Sequence, residues 1–372
     1  MKIGLLGCGV VGSGVKEIID KKYRNIEISK ILVKDETEIT EERMTVNIDE
    51  LLSPDIDLIV ECIGGIDIPL KYINLALNNG KHVVSSNKKV LATHYEELVK
   101  LAEKKGVILA FEASVGGGIP WFENIRHIKR VDDISYFEGI FNGTTNYILD
   151  NMTNFASEFN TVLKEAQDLG YAEFDPTDDI DGHDVKYKCA LSANVIWDTS
   201  IDLNDIIFYG IRNISKKDIE YAKKNNRTIK LIGSGEKNGE NLNIFVLPKF
   251  VENSKNIAHI SKNLNCVKID SEFLGKSSYI GQGAGKLPTA HAVVQDIISI
   301  SENKNFAPKI LNNLTIKNDY FSNFYINSKK IENFKDITLK KIDDERIITK
   351  NISLADIKNL LDENTFIAEM KL

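Results

Sequence analysis

Cysteine is sparse in this sequence and nowhere organised. Its four copies, Cys8, Cys62, Cys189 and Cys266, sit far apart among apolar or small residues, without CxxC spacing or the pattern of a disulfide framework. Each reads as a small buried hydrophobe rather than a ligand or a cross-link. Long apolar runs are missing too. The opening Met1-Lys2-Ile3-Gly4-Leu5-Leu6-Gly7 is too short for a secretory leader, and no stretch approaches the roughly 20 residues of a membrane span. A reduced, cytoplasmic setting away from membranes is expected. Basic blocks with interleaved aromatics are also lacking, so nucleic acid is not an expected partner. The 47 Lys and Arg are scattered among 54 Asp and Glu, which describes a solvated surface with net charge −7.

What is present is an ordinary globular chain of 372 residues, long enough for two or three domains. In its first third, short apolar runs alternate with helical spacing. Lys2–Leu6, Ile28–Val33, Asp57–Cys62, His82–Ser85 and Val107–Phe111 read as buried strands, and Val11–Asp20, Ile68–Asn79 and Thr93–Lys105 as helices, with Gly80 and Gly106 at helix C-caps. That alternation predicts right-handed βαβ units and a parallel sheet covered on both faces. Beyond Gly118 the rhythm changes. Ile119–His127, Thr144–Asn151, Glu158–Leu169 and Asp181–Trp197 carry helical patterns, and 200–230 is expected to be mostly helical. Ile134–Phe141, Asn243–Val251 and Cys266–Leu274 read as strands, the last two with antiparallel alternation. A helix over Leu287–Ile300 is expected to return to the first domain. The last sixty residues, rich in Asn, Lys and Ile, carry no chemical motif.

Five places carry chemistry. Gly7-Cys-Gly9-Val10-Val11-Gly12 follows a strand and opens a helix, the arrangement in which glycines admit a pyrophosphate against helix N–H donors. At the end of the second strand, Val33-Lys34-Asp35 sets a base beside an acid. The acid would suit a ribose hydroxyl and the base a 2′-phosphate, so NAD and NADP both stay open, with NADP favoured. Ser85-Ser86-Asn87-Lys88-Lys89 ends the fourth strand, where open α/β sheets bind ligands. Glu112-Ala-Ser-Val115-Gly-Gly117-Gly-Ile119-Pro120 ends the fifth, and its glycines free carbonyls for a hard cation or form a plain connector. Finally, Glu165 to Lys188 crowds carboxylates around Gly170, Pro176 and Gly182, a density that suits a cationic ligand. There Asp184 and Lys188, four apart, share a helix face. The choice for that pair lies between an exposed salt bridge and a lysine placed to hold a carbonyl oxygen or relay a proton.

In this order, these motifs resemble homoserine dehydrogenases. The matching stretches are Gly4–Gly14, Ser86-Asn-Lys88, Glu112–Pro120, Gly139–Leu149 with its Asn142-Gly143-Thr144-Thr145-Asn146, Glu165–Lys188 and Gly281–Val294. The resemblance implies an α/β fold. A Rossmann-type parallel-sheet nucleotide-binding domain over 1–130 would be completed by about 285–310, and a second α+β domain over 131–284 would serve substrate and dimerisation. A C-terminal extension over 311–372 is shorter than the family's regulatory ACT domain and lacks its Pro-Gly-Val-Leu turn, so it is expected to be a degenerate remnant or a dimer-facing extension.

The activity implied is NAD(P)-dependent interconversion of L-homoserine and L-aspartate 4-semialdehyde, towards threonine and methionine, by a homodimer. Lys188 and Asp184 would be the catalytic pair, and Glu173 and Asp179 would hold the substrate's amino group, with Gly143 and Thr144 lining the pocket. Lys88 would lie between nicotinamide and substrate. Gly7, Gly9, Val10, Val11, Gly12, Lys34, Ser86 and Gly283 would meet the cofactor, and Glu112, Val115, Gly117 and Ile119 would hold sodium. Lys286 and His183 depart from the family's pattern. Two alternatives stay open: another Rossmann-fold oxidoreductase acting on an amino-acid aldehyde, and a non-catalytic cofactor-sensing regulator; an aldehyde-oxidising enzyme with a thiol nucleophile would need Cys189, which helical direction turns away from Lys188.

Overall fold

The five apolar runs of the first third become strands of a six-stranded, all-parallel sheet; 44–45, a strand the sequence did not predict, lies outermost, followed in order by 27–32, 2–6, 58–61, 82–85 and 109–110. Its strands are β1 (Lys2–Leu6), β2 (Glu27–Leu32), β3 (Met44–Thr45), β4 (Leu58–Glu61), β5 (His82–Ser85) and β6 (Leu109–Ala110). The structure is a computed structural model that describes residues 1–304 and 307–372. It divides into two units, 1–131 with 191–200 and 282–313, and 132–190 with 201–281 and 314–372.

In the first unit the central strands bury both faces, with Ile3, Leu5, Leu58, Val60, Val83 and Val84 all fully enclosed. That explains their unbroken apolar character. Strand order reverses between β1 and β4, which sets a ligand crevice beyond their carboxyl ends. Helix Lys286–Ser301 belongs to this unit. Its Ala290, Val293 and Ile297 join Ile3, Val15 and Ile28 in one core. The close approach goes through Gly14, where a Cβ would lie 2.9 Å from both the Ala290 methyl and the Lys286 carbonyl. The helix expected over Thr93–Lys105 is present as Tyr95–Lys105, and a separate short helix, Lys88–Thr93, precedes it, with Asn87 accepting from Val90 N at its start and the break at His94.

The second unit is built on a mixed sheet. Its path runs through 275–282, 264–271, 134–140, 227–238 and 241–252, then through 366–369, 324–327, 346–349 and 338–341. Residues 200–230 are not mostly helical. Lys216–Lys224 is the α-helix there, Ile207–Phe208 adds to the sheet beside Phe245–Val246, and a long strand starts at Arg227. That strand pairs in register with 241–252 across the Gly239-Glu240 turn, with Gly239 at φ +62°. Glycines at 233 and 235 hide its alternation. A Cβ at Gly233 would lie 2.2 Å from Cys189 Sγ, so the missing side chain lets helix His183–Trp197 settle on the sheet.

The C-terminal segment enters this sheet through Phe366–Glu369, which lies against 241–252 with Glu369 level with Lys249. Lys249 is buried, donates to Ser234 Oγ at 2.9 Å and faces Glu369 at 3.3 Å. Glu369 also accepts from Ser322 Oγ at 2.9 Å and from the Tyr320 hydroxyl. Burial alone would raise its pKa, but Lys249 overrides that and holds it at about 2. Stability from this carboxylate is therefore present above its unfolded value of 4.5 and is lost as pH falls towards 2. Glu369→Gln, which strands the lysine, should cost about 3–5 kcal/mol in urea unfolding at neutral pH. The deficit should shrink below pH 4.5; a loss at neutral pH under about 1 kcal/mol would show a pair no stronger than a surface one.

Candidate active site

Helix His183–Trp197 brings Asp184 and Lys188 onto one face, and both are buried. The Lys188 ammonium donates to Asp184 Oδ2 at 2.7 Å and to the Phe141 carbonyl at 2.6 Å. This is no solvated surface pair. Two charges removed from water cost several kcal/mol each unless geometry and further hydrogen bonds offset it, and such arrangements concentrate at functional sites. The offset here includes Asn142, which caps helix Gly143–Phe155 by accepting from Thr145 N at 2.8 Å. Its Nδ2 donates to Asp184 Oδ2 at 2.9 Å and to Asp179 Oδ1 at 2.6 Å. Thus Lys188, Asp184, Asn142 and Asp179 form one polar cluster. Asn142 opens the Asn-Gly-Thr-Thr-Asn motif, and its cap position was the sequence signal for a role the motif's glycine and threonine overshadowed.

Gly143 and Thr144 stand beside the cluster. A Cβ on Gly143 would meet the Asn263 carbonyl at 2.6 Å, so the main chains touch there. Thr144 Oγ1 donates to the Tyr171 carbonyl at 2.5 Å, fastening the start of the acidic loop. Glu173 lies on the exposed part of that loop, and the structure does not hydrogen-bond it to Asp179, Asp184 or Lys188. Asp181 is held by Arg212 through two bonds of 2.6 and 2.8 Å, and Arg212 also reaches Thr177 Oγ1 at 3.2 Å. Arg212 thereby braces the short helix Thr177–Ile180 that carries Asp179. His183 stacks near Phe208, with ring centroids 4.8 Å apart. Cys189 points into the sheet, and burial pushes its thiol far above the usual range. It is not a thiolate nucleophile.

In the first unit, the fingerprint glycines do what the spacing predicted. Gly7 has φ +87°, and a Cβ on Gly12 would lie 2.0 Å from the Gly7 carbonyl. Beside Gly9, the N-cap of helix Val10–Lys22, such a Cβ would meet nothing within 4 Å, and Val10 is exposed. An open main-chain turn at a helix N-terminus offers N–H donors that suit a phosphate. After β2, Asp35 turns onto Thr37, accepting from its N–H at 3.0 Å and from its hydroxyl, and these bonds lower its pKa. Lys34, next to it, is exposed.

Ser86 and Lys88 flank Asn87, whose Nδ2 donates to the carbonyls of Ile63 and Gly65 at 3.0 and 2.9 Å. Beneath them lies a residue the sequence reading did not single out, Glu61 at the end of β4. It is fully buried and accepts from Ser85 Oγ at 2.5 Å and Ile63 N at 2.7 Å. Burial raises its pKa to about 7 despite those bonds.

The Glu112 carboxylate accepts from Phe122 N and Glu123 N, both at 2.9 Å, and from Arg126 at 3.3 Å. It is thus tied to the start of helix Trp121–Ile128. The loop carbonyls fit a cation better. Those of Val115 and Gly117 accept no main-chain hydrogen bond among the described residues, whereas that of Ile119 accepts from Trp121 N at 2.8 Å. Gly117 has φ +55°, and a Cβ there would lie 2.5 Å from the Gly283 carbonyl, so Gly283 packs on this loop. Among the described residues, no group of three or more His, Cys, Asp or Glu is placed to hold a metal, and no helix is long and apolar enough to cross a membrane.

Comparison with known proteins identifies the family. One family model, described as homoserine dehydrogenase, matches residues 120–298, and another, described as homoserine dehydrogenase, NAD binding domain, matches 7–112. The homoserine dehydrogenase of Bacillus subtilis is 37% identical over 317 residues, covering 82% of this chain and 73% of its own. That of Corynebacterium glutamicum is 37% identical over 321 residues, covering 81% and 72%. A solved homoserine dehydrogenase from Thiobacillus denitrificans superposes with a TM-score of 0.88 at 26% identity, covering 99% of this chain and 98% of that one. One from S. aureus, at pH 6.5, gives 0.78 at 30% identity, covering 100% and 99%. Fold, glycine turn and family match together define an NAD(P)-dependent oxidoreductase acting on a hydroxyl group. The chain belongs to the homoserine dehydrogenase family.

The Glu61 environment makes a pH-resolved prediction. Because its folded pKa lies near 7 against 4.5 unfolded, the native state binds the extra proton between those values, and stability falls as pH rises through them. Gln cannot titrate. The stability of wild type relative to Glu61→Gln should therefore drop by on the order of 3 kcal/mol between pH 4.5 and pH 7 in urea unfolding. A difference that does not vary with pH would mean that this carboxylate ionises as an exposed one.

Proposed function

We propose that this chain interconverts L-homoserine and L-aspartate 4-semialdehyde with Lys188 as the proton donor in the reducing direction. The observation that carries this reading is the buried Asp184–Lys188 pair, fastened by Asn142 and the Phe141 carbonyl. A bound nicotinamide supplies the hydride in one direction and accepts it in the other. Lys188 holds a proton on Nζ for the aldehyde oxygen as negative charge develops there, and recovers it from the hydroxyl in reverse. Asp184 orients that ammonium through its 2.7 Å bond.

Asp179 and Glu173 receive the substrate's ammonium group, and Gly143 and Thr144 shape the wall beside it. The steric need for glycine at 143 and the Asn142 bond to Asp179 support this assignment. Lys88 and Ser86 serve the nicotinamide end, Gly7, Gly9, Val10, Val11 and Gly12 the pyrophosphate, and Gly283 the closure over the cofactor. NADP is the favoured cofactor, since Lys34 is exposed after β2 while Asp35 is engaged with Thr37. Sodium would sit on the carbonyl oxygens of the 112–119 loop, with Val115 and Gly117 the fitting donors; the Glu112 carboxylate, already bonded to helix 121–128, would not be among them. The setting is the cytoplasm, on the route to threonine and methionine.

The active form is a homodimer joined through strands of the second unit. Its sheet begins at strand Gly275–Gln282, with Phe273, Leu274 and Ile280 exposed on or beside it. Sedimentation at micromolar concentration should give a dimer, and a single monomeric species overturns that assignment. For the chemistry, Lys188→Ala should lower kcat for homoserine oxidation by about 10²–10⁴-fold while cofactor binding persists. Full activity in that variant would remove the assigned proton donor.

A further inference from the structure

The second asparagine of the Asn-Gly-Thr-Thr-Asn motif has no part in the chemistry above, yet it is among the most heavily bonded side chains of its unit. Asn146 Nδ2 faces the carbonyls of Ile260, Lys262 and Leu264 at 3.1, 3.0 and 3.2 Å. Its Oδ1 accepts from Lys230 Nζ at 2.9 Å, and the same ammonium donates to the Ile260 carbonyl at 2.6 Å. Asn146 and Lys230 are both buried. Together they clamp the turn 260–264, in which Lys262 takes the left-handed conformation at φ +56° and donates its N–H to Asp150 at 2.8 Å.

The strand leaving this turn carries Asn265, which is fully buried. Asn265 Nδ2 donates at 2.9 Å to the Phe141 carbonyl, the oxygen that also accepts from Lys188 at 2.6 Å. Its Oδ1 accepts no hydrogen bond among the described residues. A half-satisfied amide is a poor way to fill a closed site, because an apolar side chain would avoid the desolvation penalty. The orientation of the amide is not arbitrary either, since turning it would set oxygen against the Phe141 oxygen.

We propose that Asn265 is a positioning residue for the reaction. By donating to the Phe141 carbonyl it fixes the acceptor that aims the Lys188 ammonium, and the Lys230–Asn146 clamp holds Asn265 in place. The inference rests on Lys188 being the proton donor. The role assigned to Asn265 runs through Lys188 and not through the substrate itself. It acts on kcat through the direction of a neighbour's N–H bonds, and misplacement of a reacting group by about 1 Å is enough to lower a rate by roughly 10²-fold.

The test is Asn265→Asp, nearly isosteric but without the donor, assayed beside Lys188→Ala. In folded Asn265→Asp, kcat should fall by about ten- to a hundredfold, while KM for homoserine and Kd for NADPH stay within about twofold. The primary deuterium isotope effect on homoserine oxidation, read with homoserine deuterated at C4, should rise, because the chemical step becomes slower relative to release. A purely structural role would move thermal stability and leave kcat and the isotope effect unchanged per folded molecule, and that result overturns the proposal. Should Asn265→Asp fail to fold, Asn265→Ser, which keeps a shorter donor, carries the same measurement. An intermediate kcat supports the proposal and an unchanged one overturns it. If Lys188→Ala retains activity, the proton-donor reading fails instead, which separates the two.

Discussion

Everything at the candidate centre follows from keeping one ammonium group out of water. Lys188 sits in a buried place, so its charge must be met by oxygens that are already in position. Asp184 supplies one, from the preceding turn of the same helix, and the Phe141 carbonyl supplies another from the end of a strand. Each of these acceptors is in turn bonded, Asp184 by Asn142 and Phe141 by Asn265. The requirement spreads outwards until it reaches helix caps, a clamped turn and a second buried lysine. A site of this kind is rigid because relaxing any one member would leave a buried charge or polar group without its partner.

The two units solve related problems with different means. In the parallel sheet, main-chain geometry makes the ligand site: glycines that allow a tight turn, a helix N-terminus, and the ends of β4 and β5 tied together through Glu61, Ser85 and Asn87. In the mixed sheet, side chains make it, and glycine serves packing instead, as where Gly233 admits Cys189 and so settles the helix that bears Lys188. Position in the fold, rather than residue type, decides what each glycine does.

The parallel sheet was legible apart from 44–45, because its other five strands are local apolar runs and its longer helices have their own period. The glycine turn and the four-residue spacing of Asp184 and Lys188 were legible for the same reason, being short-range. Strand 227–238 was not, since Lys230, Gly233 and Gly235 break its pattern in answer to Asn146, Cys189 and Phe137, partners far away in sequence. The stretch 200–230 looked helical from composition, but its apolar residues Ile207 and Phe208 add to the sheet beside Phe245 and Val246. The strands after 314 are mostly two to four residues long, too short to impose a period, and they exist because the sheet is there to receive them. Glu61 and Asn265 escaped because a lone polar residue in an apolar run gives no sign of what it will face.

Phe366–Glu369 lies inside the sheet's path, between strands 241–252 and 324–327, and that has a consequence for biosynthesis. A ribosome delivers residues in order, and the carboxylate that neutralises Lys249 is made 120 positions after it. The first unit likewise waits for 282–313 to supply the helix that packs on Gly14. Neither unit can close until its late segment has emerged, so the earlier strands of the mixed sheet are first made without their full set of neighbours. Each unit is therefore completed only by its own late segment, the first by 282–313 and the second by 366–369.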